Sequence, residues 1–257
     1  MTVPRIYFPG EMRQGDLCKL GEEKLRYVKS VLRMKKGDQL ILFDGAGWEY
    51  KTVIKQFFAD SITVEVLKKD KMPDKVVNIA VYQALPKANK MDFIIQKATE
   101  LGADRIIPFQ STRSVPRLTA DKARSKISRW RSIATEAARQ CGRADIPEIG
   151  SILSYEEVID SAEREKFKVI FWEEESARGI KQVLRDEKYN GVKGIIVMVG
   201  PEGGFSKEEV DAAVEKGFIS VGLGRNILKV ETAALAILSI IQYEKGIFGG
   251  ELKGEVY

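Results

Sequence analysis

The chain has 257 residues, of which 44% are hydrophobic and 31% are charged, and its formal net charge is +5. This composition is typical of one large folded domain or two smaller ones, and it argues against disorder. The absence of histidine excludes Ser-His-Asp and Cys-His catalysis and any metal site with histidine ligands.

The first 72 residues are predicted to form a small β-rich domain. Strands are expected at residues 5–8, 39–43, 48–58 and 61–67, with one helix at residues 21–32. Asp44-Gly45 is typical of a hairpin turn, and short strands with tight turns favour a small barrel. The polar, proline-containing stretch 68–75 marks a boundary. We therefore predict two domains, at residues 1–72 and 73–257.

Beyond the boundary, predicted strands alternate with helices. Strands are expected at residues 76–84, 105–109, 168–172, 195–199 and 218–221, and helices at residues 89–101, 119–140, 177–187, 206–216 and 231–245. Ser154 with Glu157, and Ser206 with Glu209, have the spacing of capping boxes. The last helix is apolar almost all round, so burial in the fold or in a subunit interface would explain it. The alternation predicts a parallel sheet with helices on both faces.

Two Gly-rich loops follow consecutive strands near the C-terminal end. The first loop is Gly200-Pro201-Glu202-Gly203-Gly204, and the second begins Gly222-Leu223-Gly224. An open α/β sheet binds its ligand at the carboxyl ends of its strands. The P-loop pattern is absent, which argues against phosphoryl transfer from a nucleoside triphosphate, and Ile227 replaces the third glycine of a dinucleotide fingerprint. The spacing predicts a ligand site and leaves the ligand open.

Basic residues are concentrated in the middle of the chain. Residues 113–143 contain nine Lys or Arg and two Asp or Glu, a local excess of +7 that is larger than the excess of the whole chain. Such a block predicts a polyanion partner. A solvated helix face is the alternative explanation.

The sequence predicts a cytoplasmic protein without a membrane segment or a metal. Cys18 and Cys141 are too few for a disulfide framework or a structural zinc site. The first five residues lack the apolar stretch of a signal peptide. No apolar run approaches the roughly 20 residues that span a bilayer.

Taken together, the Gly-rich loops and the residues after them resemble the bacterial methyltransferases that modify uridine N3 in small-subunit ribosomal RNA, members of the SPOUT superfamily. The stretches that carry the resemblance are residues 200–206 and 223–233, with further similar motifs at residues 97–102, 113–115 and 136–143. The resemblance implies an α/β protein in which a PUA-like RNA-binding β-barrel precedes a trefoil-knotted SPOUT methyltransferase domain. It also implies S-adenosylmethionine as methyl donor, 16S ribosomal RNA or the 30S subunit as substrate, and a homodimer with its site at the dimer interface.

The same resemblance assigns the residues that hold the cofactor. They are Val199, Gly200, Pro201, Glu202, Gly203, Gly204, Leu223, Gly224, Asn226, Ile227, Leu228, Thr232 and Ala233. Glycine suits such loops because it permits close backbone approach and positive φ.

The chemistry expected of this family requires no histidine or metal, because the methyl donor carries its own leaving group. A positive group near O2 or O4 of uracil would stabilise the N3 anion, and Arg225 and Lys229 are the candidates. Glu231 is a candidate proton acceptor, although a carboxylate at a helix start also complements the helix dipole. RNA contacts are expected from Arg5, Arg33, Arg113, Arg117, Arg124, Arg131, Arg139 and Arg143.

The sequence departs from the family in the second loop. Asn226 and Lys229 stand where the family typically has arginine, with Arg225 beside them. Lysine does not reproduce a bidentate arginine contact. A non-catalytic RNA-binding or ribosome-assembly protein that retains the cofactor fold is therefore the main alternative. A nucleotide-dependent oxidoreductase that uses the loop at Gly222 is another.

Overall fold

The structure is a computed structural model that describes residues 3–115, 118–162 and 165–249. The described residues fall into two compact units. The first unit contains residues 3–74 and Thr135–Ile146, and the second contains Lys75–Ala134 and the described residues from Pro147 onward. Within the described ranges, no helix is long and apolar enough to cross a membrane. The predicted division at residue 72 stays a prediction, and Thr135–Ile146 lies on the other side of it from the rest of the first unit.

The first unit is built on a five-stranded sheet in the order β1-β3-β4-β5-β2. Its strands are β1 (Arg5–Tyr7), β2 (Leu17–Leu20), β3 (Gln39–Phe43), β4 (Trp48–Phe57) and β5 (Ile62–Lys71). All neighbours are antiparallel except β1, which pairs with β3 in parallel. The predicted hairpin at Asp44-Gly45 is confirmed, since β3 and β4 pair on either side of it. Helix α1 (Glu22–Arg26) continues into a π-helical turn at Tyr27–Val31.

Two features of this sheet differ from the prediction. Strand β2 was not predicted, because a four-residue strand with only Cys18 and Leu20 buried has too short an alternation of apolar and polar residues to be recognised. Strand β5 extends to Lys71 instead of ending at Leu67. Its charged end pairs with β4, and the Lys69 ammonium lies 4.2 Å from the centre of the Trp48 ring. A lysine that packs its ammonium over an aromatic ring can belong to a strand. In the sequence alone, the lysine-rich end of β5 resembles a solvated loop.

The second unit contains a sheet in the order β12-β10-β11-β6-β7-β8, with β9 also paired to β7. Its strands are β6 (Asn78–Ala84), β7 (Arg105–Gln110), β8 (Glu148–Ile149), β9 (Leu153–Ser154), β10 (Lys168–Phe171), β11 (Gly194–Val199) and β12 (Ile219–Val221). Every pairing is parallel, which confirms the predicted sheet type. The short strands β8 and β9 were not predicted.

The remaining helices follow the predicted pattern closely. They are α2 (Lys90–Glu100), α3 (Ala120–Cys141), α4 (Tyr155–Ser161), α5 (Ile180–Leu184), α6 (Lys207–Glu215) and α7 (Val230–Glu244). Both capping boxes are confirmed, at the starts of α4 and α6. The helix expected at residues 177–187 is wrong in length: α5 is short, and a separate 3₁₀ turn follows at Glu187–Tyr189.

The order of the strands positions the candidate site. The two Gly-rich loops follow β11 and β12, which are both neighbours of β10. In a parallel sheet the carboxyl ends of neighbouring strands lie at one edge, so the loops and the end of β10 meet there. Helix α7, which follows the second loop, packs on α2 through Ile94, Val230 and Ala234. The trefoil knot stays a prediction.

Candidate functional site

The first Gly-rich loop, residues 200–204, is fixed by contacts from three neighbouring segments. The Arg113 side chain donates a hydrogen bond of 2.8 Å from Nη1 to the Gly203 carbonyl. At the base of the loop, the Gln83 amide lies 3.4 Å from the Gly200 carbonyl oxygen. Gly204 has φ of +65°, and a Cβ there would collide with the Glu173 carboxylate. This position therefore favours glycine for its left-handed conformation, whereas the flexible Glu173 side chain could move aside from a Cβ.

Glu202 turns its carboxylate toward the start of α2. It accepts hydrogen bonds from the Lys87 N–H (3.1 and 3.2 Å) and pairs with Lys90 Nζ at 2.9 Å. Burial opposes ionisation of this carboxyl group, but the hydrogen bonds from Lys90 and the Lys87 N–H outweigh it and hold the pKa of Glu202 below its usual value. The pKa of Lys90 is raised, chiefly by its hydrogen bond to Glu202. Both groups are therefore charged at neutral pH.

The second Gly-rich loop, residues 222–229, begins against the segment that follows β10. The Gly222 N–H donates to the Arg178 carbonyl at 2.9 Å, and Gly222 forms an isolated bridge with Gly179. A Cβ at Gly222 would collide with the Glu175 carbonyl oxygen. The φ of Gly222 is not in the left-handed region, so the conformation does not require glycine. Glycine is needed here because the backbone of the neighbouring segment packs too closely for a Cβ.

The two loops line an open cavity of about 540 Å³. All of the predicted cofactor-binding residues line it except Thr232, which is exposed. Arg225 and Lys229 of the predicted catalytic set also line the cavity and are exposed. Glu231 does not line it, but its carboxylate lies 3.4 Å from Nζ of Lys90, which does. The roles predicted for these residues stay predictions.

Five lining residues were not among those predicted. They are Lys90, Phe171, Trp172, Glu173 and Val230. Three of them follow from the strand order, because β10 lies between the strands that carry the loops and its carboxyl end opens on the same cavity. Nothing in the sequence indicates that β10 lies between the two strands, so these residues could not be predicted from it. Nε1 of Trp172 is buried and has no hydrogen-bond partner among the described residues.

The arginines predicted to contact RNA differ in exposure. The exposed ones are Arg33, Arg113, Arg124 and Arg131. Arg139 is half-buried and donates to the Tyr27 hydroxyl at 3.1 Å. Arg5 and Arg143 are nearly buried and pair with Glu49 and Asp145, each at 2.5 Å. Arg117 lies outside the described residues, and the assignment of the whole set to RNA stays a prediction.

Metal coordination has no candidate site in the described part of the chain, since no group of three His, Cys, Asp or Glu side chains there could hold an ion. The exposed Cys141 and the buried Cys18 are both free.

Comparison with known proteins identifies RNA methyltransferase families in both the N-terminal and the C-terminal parts of the chain. The family described as an RNA methyltransferase domain matches residues 73–242, and the family described as an RNA methyltransferase PUA domain matches residues 20–67. The ribosomal RNA small subunit methyltransferase E of Bacillus subtilis is 33% identical over 232 residues, which cover 89% of this chain and 91% of that protein.

Solved structures agree with these matches. The crystal structure of a ribosomal RNA small subunit methyltransferase E from Neisseria gonorrhoeae, bound to S-adenosyl methionine, is similar with a TM-score of 0.83 and 30% identity. The alignment covers 94% of this chain and 97% of that one. A methyltransferase structure from Legionella pneumophila with bound cofactor SAM has a TM-score of 0.84 and 31% identity, over 95% and 98% of the two chains. The chain therefore belongs to the RNA methyltransferase family that includes the ribosomal RNA small subunit methyltransferases E, with a PUA domain at its N-terminal end.

Proposed function

We propose that this protein methylates N3 of a uridine in small-subunit (16S) ribosomal RNA, with S-adenosylmethionine as the methyl donor. The observation that carries the proposal is the cavity between the two Gly-rich loops, at the edge of the sheet where α/β proteins bind their ligands. Relatives that are about 30% identical over most of the chain carry the ribosomal RNA methyltransferase name, and one was crystallised with this cofactor. A ribosomal substrate would place the enzyme in the cytoplasm.

The residues of the cavity fit such a cofactor. Its volume of about 540 Å³ lies within the range of roughly 300–1,000 Å³ that is typical of small-molecule sites. The buried indole N–H of Trp172 has no protein acceptor among the described residues, and buried donors normally find a partner. A ligand acceptor in the cavity would satisfy it. Backbone groups of residues 199–204 and 223–228 would hold the rest of the molecule.

When bound, S-adenosylmethionine supplies an activated methyl group. The work of the chain is then to hold the uridine base and the donor in line, and orientation alone can contribute roughly 7–11 kcal/mol to such a reaction. Because a base inside a helix is inaccessible, the uridine would enter the site unstacked. Arg225 and Lys229, which are exposed at the cavity wall, would stabilise negative charge on the uracil oxygens. Glu231, two residues after Lys229 in the first turn of α7, would accept the N3 proton.

The proposal includes a homodimer in which the second subunit completes the site. Large apolar side chains remain exposed in the second loop and on α7: Ile227, which lines the cavity, is 89% exposed, and Tyr243, near the end of α7, is 65% exposed. A subunit interface would cover such groups. Sedimentation equilibrium should give twice the monomer mass of 28.8 kDa, and a monomer at micromolar concentration would contradict this part of the proposal.

The deciding experiment is methyl transfer. Tritium from labelled S-adenosylmethionine should be incorporated into small ribosomal subunits, and nucleoside analysis should recover it as 3-methyluridine. Label in a different nucleoside would overturn the assignment of the N3 atom. Binding of S-adenosylhomocysteine without any incorporation into subunits or naked RNA would instead favour the non-catalytic alternative, which the replacement of arginine by Asn226 and Lys229 motivates.

A further inference from the structure

Lys90 lies outside both Gly-rich loops but contacts a carboxylate from the region of each. Its Nζ atom is 2.9 Å from Oε1 of Glu202 in the first loop. The same atom is 3.4 Å from Oε2 of Glu231, which follows the second loop at the start of α7. Lys90 also lines the cavity. One ammonium group therefore joins the first loop to the start of α7, the helix that follows the second loop, at the wall of the proposed cofactor site.

The two ion pairs of Lys90 with Glu202 and Glu231, called the Lys90 bridge below, are held in place at both ends. Glu202 is fixed by the Lys87 N–H in addition to Lys90. Lys90 is the first residue of α2, and α2 packs on the start of α7 through Ile94, Val230 and Ala234. The helices thus carry Lys90 and Glu231 on surfaces that are packed against each other. Rotation of either side chain away from the bridge would separate opposite charges without moving the helices.

Solvent only partly reaches the three groups. The side chains of Lys90, Glu202 and Glu231 are 33%, 24% and 23% exposed. Ion pairs at this depth are screened less than fully exposed pairs. Without the ammonium, two partly buried carboxylates would lie near each other with no cation between them, and their like charges would repel.

We propose that Lys90 is a positioning residue for the methyl transfer reaction, and that it acts by bridging Glu202 and Glu231 so that the two loops close on the cofactor together. The inference rests on the function proposed above and adds a residue to it. Lys90 keeps the start of α7, and with it the end of the second loop, in place against the first loop, and it holds the Glu231 carboxylate beside a residue that lines the cavity.

A pH dependence follows from the bridge. The charged groups that face Lys90 are Glu202, from the loop after β11, and Glu231, from α7. The other charged residues of the cavity wall are Glu173, Arg225 and Lys229. Because the pKa of Glu202 is lowered in the folded protein, its contribution is present above the usual carboxyl pKa and is lost only as pH falls through the lowered value. Removal of Lys90 takes away its lowering effect, while burial still raises the pKa of Glu202 and the Lys87 N–H still lowers it. The pKa should therefore rise, so the loss should begin at higher pH.

The test compares Lys90→Met with Lys90→Arg and with wild type. Lys90→Met should weaken S-adenosylhomocysteine binding, measured by calorimetry, by roughly tenfold, the lower end expected for a lost hydrogen bond between charged groups. It should move the acid limb of the kcat profile to higher pH. In the ligand-free protein, it should speed hydrogen exchange at the amides of residues 222–229. Lys90→Arg keeps the charge and should retain most of each property.

Lys207→Met is the matched control. Lys207 is also the first residue of its helix and pairs with Asp211 at 3.2 Å; both side chains are exposed, and Lys207 does not line the cavity. The control should bind and exchange like wild type. If Lys90→Met behaves as this control does in binding, in exchange and in its pH profile, the inference is overturned.

A second variant keeps the inference testable if Lys90→Met does not fold. It also allows a test that does not depend on methyl transfer, and so separates this inference from the proposed function. Glu231→Gln weakens the bridge from its other side and should also weaken S-adenosylhomocysteine binding. Combined with Lys90→Met, its effect should be less than the product of the two single effects. Independent multiplication of the effects would contradict the bridge. Failure of wild-type protein to transfer methyl would refute the proposed function, whereas binding and loop exchange test the bridge without RNA.

Discussion

Individual atoms decide how closely the loops of this site can pack. At Gly222 the nearest neighbour of an added Cβ would be the Glu175 carbonyl oxygen, at a distance that atoms do not tolerate. At Gly204 the neighbour would be the Glu173 carboxylate, which is a flexible side chain. A backbone carbonyl, here in the segment after β10, moves less easily than the end of a side chain. Gly222 is therefore the less replaceable of the two on steric grounds, although Gly204 also has a positive φ.

Gly222→Ala should destabilise the protein and reduce its affinity for S-adenosylhomocysteine. Overpacking of this kind typically costs about 1–3 kcal/mol, and the second loop must move to relieve it. Thermal unfolding and calorimetry measure the two effects. Gly179→Ala is the control, because Gly179 faces Gly222 across the bridge but has nothing within 4 Å of an added Cβ and no positive φ. Equal effects of the two substitutions would contradict the steric argument.

At the scale of elements, the capping boxes of α4 and α6 are the local features that connect sequence to site most directly. Ser154 and Glu157 begin α4, and Ser206 and Glu209 begin α6 directly after the first Gly-rich loop. In the second box the buried Glu209 carboxylate also accepts the Thr112 N–H at 2.8 Å. That bond ties the start of α6 to the segment after β7, so the cap also restrains the loop that precedes it.

Ser206→Ala and Ser154→Ala should each cost about 1 kcal/mol of stability, the usual effect of losing a side-chain N-cap. They should differ in ligand binding. Ser206→Ala frees one end of the first loop and should weaken S-adenosylhomocysteine binding several-fold, whereas Ser154→Ala should leave it unchanged. Denaturant unfolding and calorimetry on both variants provide the comparison. A Ser154→Ala variant that lost affinity equally would show that stability alone, and not the loop, sets the binding.

Local signals of this kind explain which parts of the fold could be predicted. Capping boxes, the Asp44-Gly45 hairpin and the apolar runs of β6, β7 and β11 act over a few residues, and the structure has all of them. Strand order depends on contacts between distant segments, and it is β10, placed between β11 and β12, that brings Trp172 and Glu173 to the cavity. Lys90 was also not predicted, because it is 112 positions from Glu202 in the sequence and only the folded chain brings the two together. The loops were recognisable in the sequence, but the neighbours that complete their site were not.

At the scale of the whole molecule, charge is distributed unevenly. Residues 113–143 hold an excess of +7 while the whole chain has +5, so the rest of the chain is slightly acidic. The structure divides the arginines further, since Arg5 and Arg143 are paired with partly buried acidic groups whereas Arg33, Arg124 and Arg131 are exposed. A phosphate competes for an exposed arginine at little cost, but it must displace a carboxylate from a buried one.

The exposed arginines should therefore account for the salt dependence of RNA binding. For a single-stranded site, the logarithm of the binding constant falls by about 0.7 per neutralised phosphate for each tenfold rise in salt concentration. Arg124→Gln should reduce that slope by about one such step and weaken binding to all RNA sequences alike. Its control is Arg105→Gln, which removes the same charge at the first residue of β7, at the opposite edge of the sheet from the cavity. Fluorescence titrations of a ribosomal RNA fragment at several salt concentrations would measure both slopes. If Arg124→Gln and Arg105→Gln leave the slope equally unchanged, the basic block is a solvated surface and the RNA contacts lie elsewhere.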